Sequence, residues 1–183
     1  MTTPPGKKER TRARLLAVAL ELFADQGYDD TSIAQIAERA GVSEMTFFRY
    51  FPSKESLLLD DPYDPLIAAA VRDQPADLAP LARAARGVRS AWHALPFPAT
   101  DEVRTRTRIV AESPGLRAGM WRNSAQTEAS IAVALGGDAV AARIAAAATV
   151  AALNTALLEW SLGSDTDLGA AIDAALDVLE HRG

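Results

Sequence analysis

Residues 32–54, SIAQIAERAGVSEMTFFRYFPSK, decide how the chain folds. Ser32 followed three residues later by Gln35 is a capping box, which starts a helix at Ile33. Ile33, Ile36, Ala37 and Ala40 recur at helical spacing and give that helix one apolar face. Gly41 can take the left-handed conformation that ends a helix and turns the chain sharply. Val42 plugs the turn and Ser43 caps a second helix. Phe47 and Phe51, four apart, share its inner side and leave Glu44, Met45, Thr46, Phe48, Arg49 and Tyr50 for the other faces. Pro52 stops this helix and Ser53 caps the segment beyond it. Two short helices about a glycine turn, the second polar and aromatic outside, form a helix-turn-helix.

That arrangement is the one DNA readers use. The run T-S-I-A-x-I-A-x-x-A-G-V-S-x-x-T-F-F-R-Y-F-P-S-K-E resembles the DNA-binding signature of the TetR family of bacterial regulators. The resemblance is carried by the first third of the chain; the rest is similar to the family in length and all-helical pattern. It implies an all-α fold of about nine helices. A three-helix DNA-binding head over residues 1–54 would precede a helical bundle, residues 55–183, for effector binding and dimerisation.

Working outward, Lys7 to Gln26 reads as a first helix with Leu15, Ala19, Leu22 and Phe23 as its buried stripe and Gly27 as its stop. Beyond Ser53 a fourth helix carries Leu57, Leu58 and Leu59, and Pro62 and Pro65 break or kink it. The body reads as helices over about 77–95, 100–113, 114–135 and 138–162, with a last one capped by Asp165. Leu168, Ile172, Leu176 and Leu179 form the stripe of that last helix. No strand pattern and no internal repeat is present.

Composition narrows the function classes. Of the 183 residues, 49% are apolar and 23% charged, as in a soluble globular protein with a sizeable core. With no cysteine there is no disulfide framework and no thiolate metal site. The two histidines, His93 and His181, stand far apart, so no metal site and no cofactor is expected. No Walker-type loop occurs, because Gly136–Gly137 lacks the following Lys-Ser/Thr. No catalytic constellation stands out. The N-terminus lacks a signal-peptide core and no apolar run is read as reaching the ~20 residues of a membrane span, so a cytoplasmic protein is expected.

The net charge of −5 is unevenly divided. Residues 1–54 hold eight Lys/Arg and seven Asp/Glu, net +1, and residues 55–183 carry the remaining −6. Lys7, Lys8, Arg10, Arg12 and Arg14 against Glu9 concentrate positive charge beside the motif. Such an arm is either a solvated tail or a phosphate contact.

Candidate roles divide into positioning and reading. Thr31 and Ser32, at a helix start, together with Thr46, Arg49, Tyr50 and Lys54, are the phosphate candidates; in the family the matching positions mostly do that work. Glu44, Met45 and Phe48 lie on the forward part of the second helix, facing base edges. Glu44 suits cytosine N4, and Met45 or Phe48 a thymine methyl. The family most often has tyrosine at Phe48 and a small residue or proline at Met45, so the phenolic contact does not carry over. Phe48 also reads as extra core packing.

The helix over 138–162 holds ten alanines and is apolar on two sides. One side suits its own core and the other a close-packed partner helix. Burial of both sides inside a monomer is the alternative. The resemblance implies a homodimer through the last two helices, with Ala151, Leu153, Leu157, Leu168 and Ile172 as the interface set. In the body, Trp92, Phe97, Met120 and Trp121 are the bulky candidates for an effector chamber, and Arg104 and Arg108, four apart, could meet an acidic head group. An actinobacterial subgroup with a similar F-F-R-Y-F run includes members that respond to acyl-CoA thioesters, which extends the expectation to an acyl-CoA-like effector. The reading is a transcriptional repressor, not an enzyme, released from a palindromic double-stranded operator by a small apolar molecule. Its alternative is a helical small-molecule-binding protein or enzyme without sequence-specific DNA reading.

Overall fold

A computed structural model describes residues 6–60, 64–94, 100–136, 139–163 and 167–180. The described residues are all helix, turn and loop. Among the described residues ten helical segments occur in order: α1 Lys7–Gln26, α2 Ile33–Arg39, α3 Glu44–Tyr50, α4 Ser56–Leu59, α5 Asp64–Arg72, α6 Pro80–Ala94, α7 Thr100–Glu112, α8 Pro114–Leu135, α9 Val140–Ser161 and α10 Leu168–Glu180. Setting aside the single turn α4 leaves the nine expected. The chain divides into two compact units, Met1–Asp60 and Asp61–Gly183, so the boundary falls after α4 rather than at residue 54.

In the first unit the stripe of α1 is buried as its spacing predicts: Leu15, Ala19, Leu22 and Phe23. Phe47 and Phe51 join this core from α3, each with no exposed surface. Arg12 does not extend from the helix as part of a free arm. Its guanidinium lies over the Phe51 ring at 4.7 Å and within 3.9 Å of Asp60.

In the second unit α9 is the axle. It packs against α6, α7, α8 and α10, and α5 closes on α6 and α8. Ile131, Ala146, Val150, Trp160, Ile172 and Leu176 meet in the core. α9 is 22 residues long with a mean hydropathy of 1.5, enough in length and composition to cross a membrane. This corrects the expectation that no apolar run reaches span length. α9 contacts four neighbouring helices and contributes Ala146, Val150 and Trp160 to the body's core, while Val140 and Ile144 are exposed.

Pro65, expected to break a helix, is the second residue of α5, where its missing N–H has no intrahelical acceptor to lose. Asp165 and the Pro96–Phe97–Pro98 stretch lie outside the described residues. At the start of α10 the capping side chain is Asp167, whose Oδ2 accepts from the N–H groups of Gly169 (2.9 Å) and Ala170 (3.3 Å). Gly87 of α6 faces Val71 of α5 so closely that a Cβ there would lie 2.4 Å from the Val71 Cα. A row of charges joins α6 to α10: Arg89 reaches Asp173 (2.9 Å), Asp177 (2.7 Å) and Glu180 (3.3 Å), with His93 3.3 Å from Asp173.

Candidate nucleic-acid interface

The helix-turn-helix is built from local signals that all agree. Ser32 Oγ accepts from the Gln35 N–H at 3.2 Å, and Gln35 Oε1 accepts from the Ser32 N–H at 2.8 Å, closing the capping box. At the other end of α2, the Val42 N–H donates to Ala37 O and the Gly41 N–H to Glu38 O, each at 2.9 Å. This is a Schellman closure, with Gly41 at φ +65. Ser43 Oγ accepts from the Thr46 N–H at 3.2 Å and starts α3.

With Phe47 and Phe51 anchored inside, the opposite side of α3 is presented outward. Met45 is 84% exposed and Phe48 50% exposed, and Glu44 is exposed beside them. Phe48 packs edge-on to Phe47 at 5.6 Å while half of it meets solvent. Arg49 is exposed, with its guanidinium 5.5 Å from the Tyr50 ring centre, and Tyr50 is half-buried. Thr46 shares a 3.1 Å hydroxyl contact with Ser43, and Ser32 is exposed at the start of α2.

Two phosphate candidates are placed otherwise than expected. Thr31 is buried at 1% exposure. Its hydroxyl donates to Gly27 O at 2.7 Å and accepts from Gln26 Nε2 at 3.1 Å, so the side chain serves the loop interior. Lys54 is half-buried, and its Nζ donates to Tyr28 O (2.7 Å) and Thr31 O (2.9 Å), over the Tyr28 ring at 4.1 Å. Sequence reasoning missed this tie, because its acceptors are backbone carbonyls, which have no sequence signature. Burial, and then the charges of Glu55 and Asp29, raise the Tyr28 phenol above its ordinary pKa, so the ring stays neutral under the ammonium.

Electrostatics favour a local rather than a global attraction for DNA. Adding Glu55 and Asp60 to residues 1–54 turns their net +1 into −1 for residues 1–60. Apart from Lys54, the positive charge is confined to the start of α1 and to Arg39 and Arg49. Glu55 is held below its ordinary 4.5 by its own backbone N–H, then by Ser53, while Lys54 adds a smaller pull.

In the body, the two arginines expected to await an acidic head group are already engaged. Arg108 Nε donates to Ser161 O at 3.2 Å, and the Arg104 guanidinium lies over the Trp160 ring at 4.3 Å. Both therefore join α7 to the end of α9. Trp92 packs against the core, Met120 is half-buried and Trp121 is 46% exposed. Phe97 lies outside the described residues. Sequence reasoning did not single out two side-chain hydrogen bonds of α8, one at buried Ser124 and one at part-buried Thr127. Ser124 Oγ accepts from Asn154 Nδ2 at 2.7 Å, and Thr127 Oγ1 donates to Asp64 Oδ1 at 2.8 Å.

The expected dimer set divides. Leu168 (4% exposed) and Ile172 (2%) belong to the body's own core, and Leu153 and Leu157 pack against that core. Only Ala151 lies on the outer side. There it lines an open groove of about 960 Å³ between α9 and α10 with Thr155, Ala156, Ala170, Ala174 and Val178. Alanines supply most of the groove wall, and Leu162 and Val178 are exposed there beside them.

Residues 15–60 match the model of the bacterial regulatory proteins of the tetR family, and residues 78–182 match that of the MftR C-terminal domain. The chain is 34% identical over 201 residues to the HTH-type transcriptional regulator TcmR of Streptomyces glaucescens, covering 97% of this chain and 89% of that protein. It is 30% identical over 113 residues to the putative mycofactocin biosynthesis regulator MftR of Mycobacterium tuberculosis, covering 61% of this chain and 57% of that one. Among solved structures it is similar to NalD, the secondary repressor of the MexAB-OprM multidrug efflux pump in Pseudomonas aeruginosa. The TM-score is 0.60 at 21% identity, over 96% of both chains. A TetR-family regulator from Syntrophomonas wolfei gives 0.62 at 18% identity, over 96% of both chains.

Proposed function

Because the chain belongs to the TetR family of bacterial transcriptional regulators, a family of DNA-binding proteins and not of enzymes, we propose that it is a repressor released from its operator by a small apolar effector. The observation that carries the reading is the outward side of α3, with Glu44, Met45 and Phe48 exposed above the buried pair Phe47 and Phe51. Met45 and Phe48 stand three residues apart, both large, apolar and held out to solvent on the helix that follows the glycine turn. In the proposed complex α3 enters the major groove. Met45 and Phe48 touch thymine methyls, and Glu44 accepts from cytosine N4. Ser32, Thr46, Arg49 and Tyr50 hold phosphates and set the register.

One such head reads one half-site, so the operator is a palindrome and the protein a homodimer acting in the cytoplasm. The groove between α9 and α10 supports dimerisation through these helices. Its alanine walls let a second pair of helices approach closely and complete a four-helix bundle. The effector is assigned to the body. Support comes from polar side chains of α8 inside the body, buried Ser124 and part-buried Thr127, since sites for a mainly apolar ligand orient it with few hydrogen bonds. Release needs a ligand that prefers a body shape in which the two reading helices leave the ~34–36 Å groove spacing.

The test is a binding titration on the duplex beside the chain's own gene against a scrambled duplex, across salt concentrations. A repressor prefers the first; equal, salt-sensitive binding to both would favour a helical ligand-binding protein that does not read sequence. A thermal-shift screen of compounds handled by neighbouring gene products, and of acyl-CoA thioesters, then finds effectors. Hits that stabilise the protein yet leave operator affinity unchanged would remove the switch.

A further inference from the structure

We infer that the outward face of α3 is complementary to 5-methylcytosine, so that methylation of an operator cytosine at C5 tightens binding. This rests on the DNA-reading proposal above and adds the base that the face fits best. Three side chains form the face. Glu44 and Phe48 stand one turn apart and Met45 stands three residues before Phe48, so each is a neighbour of Phe48 on the helix surface. Met45 is 84% exposed and Phe48 50%, and Glu44 is exposed beside them. None of the three carries a hydrogen-bond donor: one is a carboxylate, one a thioether and one an aromatic ring.

Each base offers the major groove a different set of groups. Guanine presents two acceptors, O6 and N7, which would face the Glu44 carboxylate with no proton between them. Thymine presents a methyl group with the O4 acceptor beside it. Adenine presents an N6 donor flanked by the N7 acceptor, and no methyl. Cytosine presents the N4 amino donor that a carboxylate accepts from, and leaves C5 bare. 5-Methylcytosine joins the donor of cytosine to the methyl of thymine, on adjacent ring carbons. A carboxylate in the groove gives up its water among phosphate charges, so a missing donor is costly and the amino group is selected. The methyl on the next ring carbon then meets an apolar pair. The Phe48 ring is already held edge-on to buried Phe47, with centroids 5.6 Å apart, so it has little freedom left to lose when DNA arrives. Met45, unbranched and polarizable, can close around the methyl. Operator occupancy would thereby respond to any activity that methylates cytosine C5.

The test uses the full chain and synthetic operator duplexes, each with one symmetric pair of cytosines replaced by 5-methylcytosine. At the cytosine that α3 meets, binding should tighten about four-fold for each methyl covered, and cytosines beyond its reach serve as controls. The gain should not depend on salt, because no phosphate contact changes. It should be lost in Met45→Ala or in Phe48→Ala. Met45 is exposed enough for its truncation to leave the head folded, and circular dichroism checks Phe48→Ala. Glu44→Ala should keep the response to the methyl and lose the preference for C·G over T·A at that pair. Equal or weaker binding at every methylated cytosine overturns the inference, as does a gain that both truncations retain. The duplex series with wild-type protein decides even if Phe48→Ala does not fold. Binding to the unmodified operator no better than to a scrambled duplex would refute sequence reading and this inference together. Operator preference with indifference to the methyl refutes this inference alone.

Discussion

Replacing Gly87 by alanine sets two well-characterised effects against each other. In the middle of α6, alanine is the better helix former by ~1 kcal/mol, so on propensity alone the variant should be more stable. Packing opposes this. A Cβ at this position would lie 2.4 Å from the Val71 Cα, 2.6 Å from its Cγ2 and 2.8 Å from its backbone nitrogen. The side-chain methyl can rotate away, but the two backbone atoms belong to α5 and cannot move alone. Carbon–carbon contacts are comfortable near ~3.5–4.0 Å, so α5 and α6 must separate by about 1 Å. That gap would loosen the buried neighbours Ala68, Val71, Ala84 and Val88 together. Overpacking of this kind costs ~1–3 kcal/mol, and because backbone is struck here the upper end applies, leaving a net loss of ~2 kcal/mol after the propensity gain. For a unit of this size the body's melting temperature should fall by ~5–10 °C, measured by circular dichroism and calorimetry. Gly115→Ala on α8 is the control, since a Cβ there would lie 4.0 Å from its nearest neighbour, Ser113 Oγ, and that variant should not be destabilised. A Gly87→Ala protein that melts at or above the wild-type temperature would refute the close crossing of α5 and α6.

Other substitutions separate reading, assembly and pH effects. Met45→Ala should change which operator variants are preferred, by ~1–3 kcal/mol at the contacted base pair, and leave the salt slope alone; competition with single-base operator variants measures this. Ala151→Glu places a charge in the groove between α9 and α10 and should give soluble monomers in sedimentation with weakened operator binding. Ile172→Ala should instead destabilise the body by ~2–5 kcal/mol while the folded fraction keeps its stoichiometry, because that side chain faces its own core. Glu55 has a folded-state pKa below its ordinary 4.5, so its stabilising contribution is present above that value and is lost as pH falls from there through the folded-state pKa. Thermal melts from pH 6 downward should show the acid loss of head stability blunted in Glu55→Gln.

The head is legible in sequence because each of its signals is local. Ser32 with Gln35, Gly41, and Phe47 with Phe51 act over three to five residues, a range at which sequence spacing and spatial neighbourhood coincide. Lys54 is not legible in this way, because its partners are backbone carbonyls more than twenty residues away, and carbonyls have no sequence signature. Glycine, proline and capping residues place the body's helices but not their faces. α9 carries apolar residues around most of its circumference, so spacing does not distinguish the core side, with Val150 and Trp160, from the outer side, with Val140 and Ile144. The assignment of Leu168 and Ile172 to an interface fails for the same reason. Arg104 and Arg108 look available in sequence because the aromatic ring and the carbonyl that engage them belong to another helix.

The alanine walls between α9 and α10 bear on the thermodynamics of whatever covers them. Alanine has no rotamers to freeze, so ordering this surface loses almost no side-chain entropy, whereas lysine or methionine can lose ~1.5–2 kcal/mol each. If a second copy covers the groove, the saving occurs on both sides of the contact. Association can then be tight without the large aromatic anchors that usually dominate an interface. The same shallowness leaves discrimination to the few larger residues in the lining, Thr155, Glu159, Leu162 and Val178. Exchange of these four with a sister regulator in the same cell would therefore be expected to redirect pairing, while exchange of the alanines for serine or glycine would not.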